Sequence, residues 1–311
     1  MTILLCDAGG THARFALSSD YKTMSDPQKI LIADYPDFAA IALHYLHSQN
    51  IQPEIITEFR LSLGDRNLWN LDAKKLAEIL PKAIFKKRND FEANALGIFV
   101  IDGTGLLPLL ESDGNPSEGA SCVVIGVGTG LGLAYIMDGP NGPFIQRTHG
   151  GHMVPATITA EQTELFGELQ KFKSDGTVAI YEDLISGPGL WNMYCLACEK
   201  AHTHREYFDT NDMLVKGGND PLVQNLLCIF HEMLGLFAHQ AVMFGFSFGG
   251  IYLTGGILDR LVGQNLWDGE RFLKSFRQKN VPIVLKDIEA TPIYWIKDEF
   301  IALSGLLRDL E

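Results

Sequence analysis

Several short stretches of this chain combine glycines with a carboxylate, a hydroxyl or an imidazole. Asp7-Ala8-Gly9-Gly10-Thr11 and Gly126-Val127-Gly128-Thr129-Gly130-Leu131-Gly132 are glycine turns. Without β-carbons, their backbone N–H groups can come close to an anion. Asp7 is a poor phosphate contact by itself. It suits a phosphate if a hydrated Mg²⁺ stands between the two, so Asp7 is the expected metal residue, acting through water. Thr11 adds a hydroxyl and an N–H. Asn89-Asp90-Phe91 lies between a strand and a helix. Phosphoryl transfer to an alcohol needs a group that positions the hydroxyl and accepts its proton, and Asp90 is the candidate. A helix N-cap at Asn89 or Asp90 explains the same residues without catalysis.

Thr148-His149-Gly150-Gly151-His152 places two imidazoles around a glycine pair. Two ligands are too few for a metal, whereas sugar hydroxyls, which want donors and acceptors, suit an imidazole. A polar glycine turn is the plain alternative. Glu182, ahead of Ser186-Gly187-Pro188-Gly189, is expected at a helix end, able to accept two adjacent hydroxyls or simply solvated. Thr254-Gly255-Gly256-Ile257 offers bare backbone on which a base or ribose can lie, a weak signal alone.

These groups require positioning elements. Ile3 to Cys6 reads as a buried strand and Ala13 to Leu17 as its return. Ser121 to Ile125 and Leu133 to Met137 repeat the pattern around the second glycine turn. Two strand–glycine turn–strand units imply duplicated halves facing each other across a cleft that would hold a nucleoside triphosphate. Residues 18–30 read as a loop through Asp26-Pro27, with a strand over Ile30 to Ala33. Helices are expected over Asp37 to His47, Asp72 to Leu80 and Glu92 to Phe99, with strands at Phe59 to Leu63 and Ala83 to Phe85. Later helices are expected over Ile158 to Phe172, Thr177 to Ile185 (closed by Ser186-Gly187-Pro188-Gly189), Leu190 to Lys200, Pro221 to Phe246 and Phe300 to Leu310. Strands are expected at Gly249 to Ile257, Val281 to Leu285 and Ile293 to Trp295. The loop Glu111 to Gly119 is the expected domain boundary.

The net charge of −13 argues against a nucleic-acid backbone or an anionic membrane as partner. Apolar residues make up 46%, enough for a full core. No run approaches ~18 consecutive apolar residues, so no membrane span is expected. No basic segment precedes the first apolar run and Asp7 interrupts it, so a signal peptide is not expected and the location reads as cytoplasmic. Five cysteines at irregular spacing fit a reducing compartment. Cys195 and Cys198, followed by His202 and His204, read as apolar positions of a helix rather than a zinc site.

Taken in order, these motifs resemble the bacterial ATP-dependent glucokinase family, within the hexokinase, heat-shock-protein-70 and actin superfamily. The resemblance runs nearly the whole chain. It is most specific at Asp7 to Arg14, Asn89 to Phe91, Gly126 to Gly132 and Ile185 to Leu190. It implies an α/β, two-lobed actin-like ATPase fold of duplicated ribonuclease H-like domains, with the active site in the interlobe cleft. The small lobe would be residues 1–108 plus 297–311 and the large lobe 109–296. The cofactors implied are ATP and Mg²⁺. Asp7, Gly9, Gly10 and Thr11 match the first phosphate motif. Gly126, Gly128, Thr129, Gly130 and Gly132 match the second, and Gly255 and Gly256 the adenosine motif. Asp90 matches the catalytic base, with Asn89 beside it on the sugar. His152 and Glu182 match sugar-hydroxyl ligands. Partners would be a hexose and ATP, and a homodimer is also an expectation.

Three departures stand out. The family pattern is Gly-Glu-Gly-Gly-His, and here His149 stands at the glutamate position, so a carboxylate acceptor for a sugar hydroxyl is missing there. His12 replaces the asparagine of the first motif. The stretch before Leu68-Trp69-Asn70 is shorter than in the family. Losing one charged hydrogen bond to a buried hydroxyl costs ~1.5–3 kcal/mol, which implies weak glucose affinity or a different sugar. The expected activity is MgATP plus hexose giving hexose 6-phosphate plus ADP. The rivals are a sugar- or nucleotide-binding regulator of the same fold with weak or no turnover, and an ATPase without a sugar.

Overall fold

A computed structural model of the chain describes residues 1–64, 71–101, 103–110, 119–173, 176–278 and 281–308. The expected boundary loop at 111–119, save Gly119, and the shortened stretch at Leu68-Trp69-Asn70 lie outside the described residues. The chain divides into two compact units, Met1–Leu106 with Asp298–Glu311, and Leu107–Lys297.

The first unit is built on strands β1 (Thr2–Ala8), β2 (His12–Ser18), β3 (Ser25–Leu31), β4 (Ile56–Leu63) and β5 (Ile84–Arg88). They form one sheet in the order β3-β2-β1-β4-β5. β1 and β2 are an antiparallel hairpin, while β4 and β5 run parallel to β1. Side chains alternate across the sheet. Leu4, Cys6, Phe59 and Leu61 face α1 (Phe38–Ser48) and α2 (Ala73–Ile79). Ile3 and Leu5 face α3 (Asp90–Ile98) and the C-terminal helix Ile301–Leu307. These last two helices meet at backbone distance: a β-carbon on Gly305 would lie 1.8 Å from the Ala93 carbonyl oxygen, and one on Gly97 2.3 Å from that of Ile301. Arg60, buried on the same side of β4, pairs with Glu58 at 2.7 Å and donates to the Leu306 carbonyl at 2.6 Å, capping the C-terminal helix.

The second unit repeats this plan. Its strands are β6 (Leu106–Leu110), β7 (Cys122–Val127), β8 (Leu131–Gly139), β9 (Gly142–Arg147), β10 (Gly250–Thr254) and β11 (Ile293–Ile296), in the order β6-β11-β10-β7-β8-β9. β7-β8-β9 is again an antiparallel meander with parallel strands, β10 and β11, on its other flank. The helices are α4 (Ala160–Phe172), α5 (Gly187–Ala201), α6 (Thr210–Lys216), α7 (Pro221–Gly245), α8 (Gly256–Gly263), α9 (Gly269–Phe276) and α10 (Pro282–Ala290). α7 is long and apolar enough to cross a membrane by composition, but 72% of its apolar window is buried inside the unit. Cys195 and Cys198 are buried on α5.

Four expectations are corrected. The segment 18–30 is not all loop, because β3 starts at Ser25 and pairs with β2. As the outer strand it tolerates Pro27, which has no N–H to give, and the register shifts beside it. Thr177 to Ile185 is not a helix beyond the single 3₁₀ turn Tyr181–Asp183. Gln170 takes its backbone instead, donating to the Thr177 carbonyl and accepting from the Ala179 N–H, while Asp183 accepts from the Ile180 N–H. Ser186-Gly187-Pro188-Gly189 opens α5 rather than closing a helix: Ser186 Oγ accepts from the Gly189 N–H and Pro188 sits in the first turn. Val281 to Leu285 is not a strand. Pro282 starts α10, and both sides of β10 and β11 are already filled in the sheet.

Candidate active site

In the first unit, parallel pairing carries three chain segments to one end of the sheet. Asp7 is paired with Ser62, and Ser62 with Arg88, so the end of β1, the end of β4 and the Asn89-Asp90 junction after β5 emerge together. The carboxyl ends of parallel strands are where open α/β sheets bind ligands. Asp7 Oδ1 accepts from Ser62 Oγ at 2.7 Å and Oδ2 from Arg14 Nη1 at 3.2 Å. Burial pushes the Asp7 carboxyl above its ordinary range, with the Arg14 charge and the hydrogen bonds from Ser62 and Arg14 pulling the other way.

The turn from β1 to β2 is closed by the Gly9 N–H donating to the His12 carbonyl at 3.1 Å. Gly10 and Thr11 form its exposed tip. Asn89 caps α3: its side-chain oxygen accepts from the Phe91 N–H at 3.0 Å, and Glu92 reaches back to the Asn89 N–H at 3.1 Å. Its amide NH₂ is then the group with which it can donate to a hydroxyl. Asp90 is the first residue of α3, with its Oδ1 accepting from the same Phe91 N–H. A β-carbon on Gly64 would stand 2.9 Å from Asp90 Oδ2, so the end of β4 abuts this carboxylate.

In the second unit the same pairing brings two glycine segments side by side. Thr254 at the end of β10 is paired with Gly126 near the end of β7. Gly255 follows with φ 110° and with a would-be β-carbon 2.4 Å from the Val127 carbonyl, so only glycine fits there. Gly256 begins α8. The Gly128 N–H closes its own turn onto the Gly130 carbonyl at 2.9 Å. The Gly187 N–H, at the start of α5, donates to the Gly128 carbonyl at 2.8 Å. The turn Gly126 to Gly132 thus has the N-termini of α5 and α8 beside it, whose dipoles favour negative charge.

The histidine stretch packs onto β8. Thr148 Oγ1 donates to the Leu133 carbonyl at 2.8 Å and accepts from the Gly150 N–H at 3.0 Å. A β-carbon on Gly151 would fall 2.0 Å from the Leu131 carbonyl oxygen. Pinned in this way, the His149 and His152 rings stack with centroids 5.7 Å apart and 13° between planes. Glu182, in the 3₁₀ turn rather than at a helix end, lies 3.9 Å from His152 Nε2 and accepts from the Leu131 N–H at 2.9 Å.

Each unit therefore gathers its own candidates: Asp7, Gly9, Gly10, Thr11, Asn89 and Asp90 in the first, and the second glycine turn, His149, His152, Glu182, Gly255 and Gly256 in the second. Ser62 and Gly64 were not singled out from sequence, whereas Gly187 lies in the Ser186-Gly187-Pro188-Gly189 motif. Gly64 directly follows β4, as Gly9 follows β1 and Gly255 follows β10, which is the local signal it carries.

A family model described as Glucokinase matches residues 4–310. The chain is 30% identical over 271 residues to a glucokinase of Chromohalobacter salexigens, covering 83% of each chain. It is 28% identical over 327 residues to a glucokinase of Paramagnetospirillum magneticum, covering 99% of this chain and 98% of that one. Its fold superimposes on a crystal structure of glucokinase from Balamuthia mandrillaris in complex with glucose with a TM-score of 0.76, at 21% identity, over 98% of this chain and 92% of that one.

Proposed function

Because the chain belongs to the glucokinase family, we propose that it transfers the terminal phosphoryl group of ATP to the 6-hydroxyl of glucose or a closely related hexose. The observation that carries this reading is Asp90. It is held at the first turn of α3, against Gly64, at the sheet end where Asp7 also emerges. Asp90 accepts the proton of the 6-hydroxyl as that oxygen bonds to the γ-phosphorus. The bond from that phosphorus to the β,γ-bridging oxygen breaks, and ADP leaves with the electron pair. Asn89 donates its amide to the same sugar.

Gly10, Thr11, Thr129 and Gly130 present backbone N–H groups to the phosphates, with Gly9, Gly126, Gly128 and Gly132 shaping the two turns. Gly255 and Gly256 receive the adenosine on bare backbone. The Asp7 environment fits a hydrated Mg²⁺. Ser62 and Arg14 occupy one position on each carboxylate oxygen, and each oxygen keeps a second lone pair for a metal-bound water. When bound there, the ion supplies positive charge against the phosphate oxygens.

His149, His152 and Glu182 take the sugar hydroxyls. With one carboxylate and two imidazoles in this set, glucose is held more weakly than by two carboxylates. The reading extends to a cytoplasmic homodimer that acts on small molecules, with neither nucleic acid nor membrane as partner. The test is a coupled ADP-release assay over a panel of hexoses and amino sugars. Sugar-stimulated ADP release with formation of a 6-phosphate is the expected result, and ADP release that no sugar accelerates would overturn it.

A further inference from the structure

Leu131 stands at the junction of two functions in the second unit. Its backbone closes the glycine turn assigned to the phosphates, as the first residue of β8 and the partner of Val127. Its N–H is held by Glu182 Oε2 at 2.9 Å. Its carbonyl lies so close to Gly151 that a β-carbon there would sit at 2.0 Å. Gly151 in turn separates the stacked His149 and His152, and His152 Nε2 is 3.9 Å from the same Glu182 oxygen. Gly130, one residue earlier in the turn, faces that oxygen too: a β-carbon added there would lie 2.8 Å from it.

We infer that Glu182 is a positioning residue for the phosphate turn as well as a sugar ligand. Its carboxylate ties the Leu131 amide in place and couples hydroxyl binding to nucleotide binding. The inference rests on the hexose-kinase reading above and adds a connection within one unit. The chemistry is simple. A carboxylate has lone pairs for both a hydroxyl donor and an amide donor. A sugar hydroxyl bound at Glu182 restrains the side chain, and a restrained side chain holds the turn. By linkage the two ligands then strengthen each other's binding by the same factor.

Two substitutions at Glu182 separate its roles. In Glu182→Gln the side-chain carbonyl can still accept from the Leu131 N–H but the charge is lost. This variant is expected to raise the glucose KM about tenfold while leaving the ATP KM near that of the parent. In Glu182→Ala both bonds are lost, and both KM values are expected to rise. Calorimetry should also show that glucose no longer tightens binding of a non-hydrolysable ATP analogue. An ATP KM left unchanged by Glu182→Ala, or raised equally by Gln and Ala, would overturn the inference.

Substitutions in the turn itself give the converse reading. Gly130→Ala presses on Glu182 and is expected to raise the glucose KM as well as the ATP KM. Gly128→Ala, whose β-carbon meets nothing within 4 Å, is expected to act on ATP alone. A Gly130→Ala effect confined to ATP would again overturn the inference. Sugar-independent ADP release by the parent protein would instead count against the hexose-kinase reading, so the two failures are distinguishable.

Discussion

Gly64 and Asp90 are in contact through the space a side chain would fill: a β-carbon on Gly64 would lie 2.9 Å from Asp90 Oδ2 and 3.5 Å from its Cγ. The backbone of Gly64 is not in the left-handed region, so alanine is sterically allowed on the chain itself and the cost falls on the carboxylate. Gly64→Ala is expected to displace Asp90 and lower kcat by roughly ten- to hundredfold, since misplacing a reacting group by about 1 Å has effects of that size. The melting temperature should stay close to that of the parent. Steady-state kinetics with a thermal melt checks both, and an unchanged kcat would show that the contact is irrelevant to catalysis.

Asp90→Asn removes the proposed proton acceptor while keeping the shape and the α3 cap, which belongs to Asn89 and Glu92. Turnover is expected to fall about 10²–10⁴-fold, the range of general-base catalysis. Hexose binding measured by calorimetry should persist.

Asp7 is a partly buried carboxylate whose desolvation outweighs its partners. Because its folded-state pKa is raised, its contribution to stability is greatest when it is protonated and is lost as pH rises through that value. At neutral pH, Asp7→Asn should therefore leave the melting temperature unchanged or higher. The same variant should lose most Mg²⁺-dependent turnover. A large drop in melting temperature at neutral pH would contradict this division.

His231 on α7 is buried. Its Nδ1 lies 2.6 Å from the Leu227 carbonyl and its Nε2 accepts from the Asp268 N–H at 3.2 Å. The ring is therefore neutral, with its proton on Nδ1. Burial pushes its pKa below the ordinary 6.5. A depressed folded-state value means stability is fully present above 6.5 and is lost as pH falls below it towards the folded value. Thermal melts from neutral to mildly acidic pH should show this loss, and His231→Gln should flatten that slope despite a lower melting temperature at neutral pH.

Gly97 and Gly305 let α3 and the C-terminal helix touch backbone to backbone. Gly305→Ala is expected to destabilise the first unit by about 1–3 kcal/mol, as overpacking of a close contact does. Because α3 carries Asp90, kcat should also fall at temperatures where the variant is still folded. Loss of stability with full kcat would separate helix packing from catalysis.

Both hairpins were legible in the sequence because an apolar run, a glycine turn and a second apolar run are local patterns. The same is true of the caps at Asp37, Asp72 and Asn89, each of which accepts from a backbone N–H within three residues. What escaped the sequence depends on distant partners. The segment 177–185 has a helix-like composition, yet Gln170 and Asp183 compete for its backbone. The apolar Val281 to Leu285 could have served as a strand, but the sheet has no open place for it beside β10 or β11.

Residue types and local order alone determined the two glycine turns, the Asn89 cap beside Asp90 and the family membership they point to, since tight turns and helix caps need only a few neighbouring residues. Only the tertiary structure decided that Ser62 and Gly64 stand against Asp7 and Asp90, and that Glu182 reaches the Leu131 amide. Those contacts join residues tens of positions apart, and parallel strand pairing and backbone packing, rather than any local spacing, bring them together.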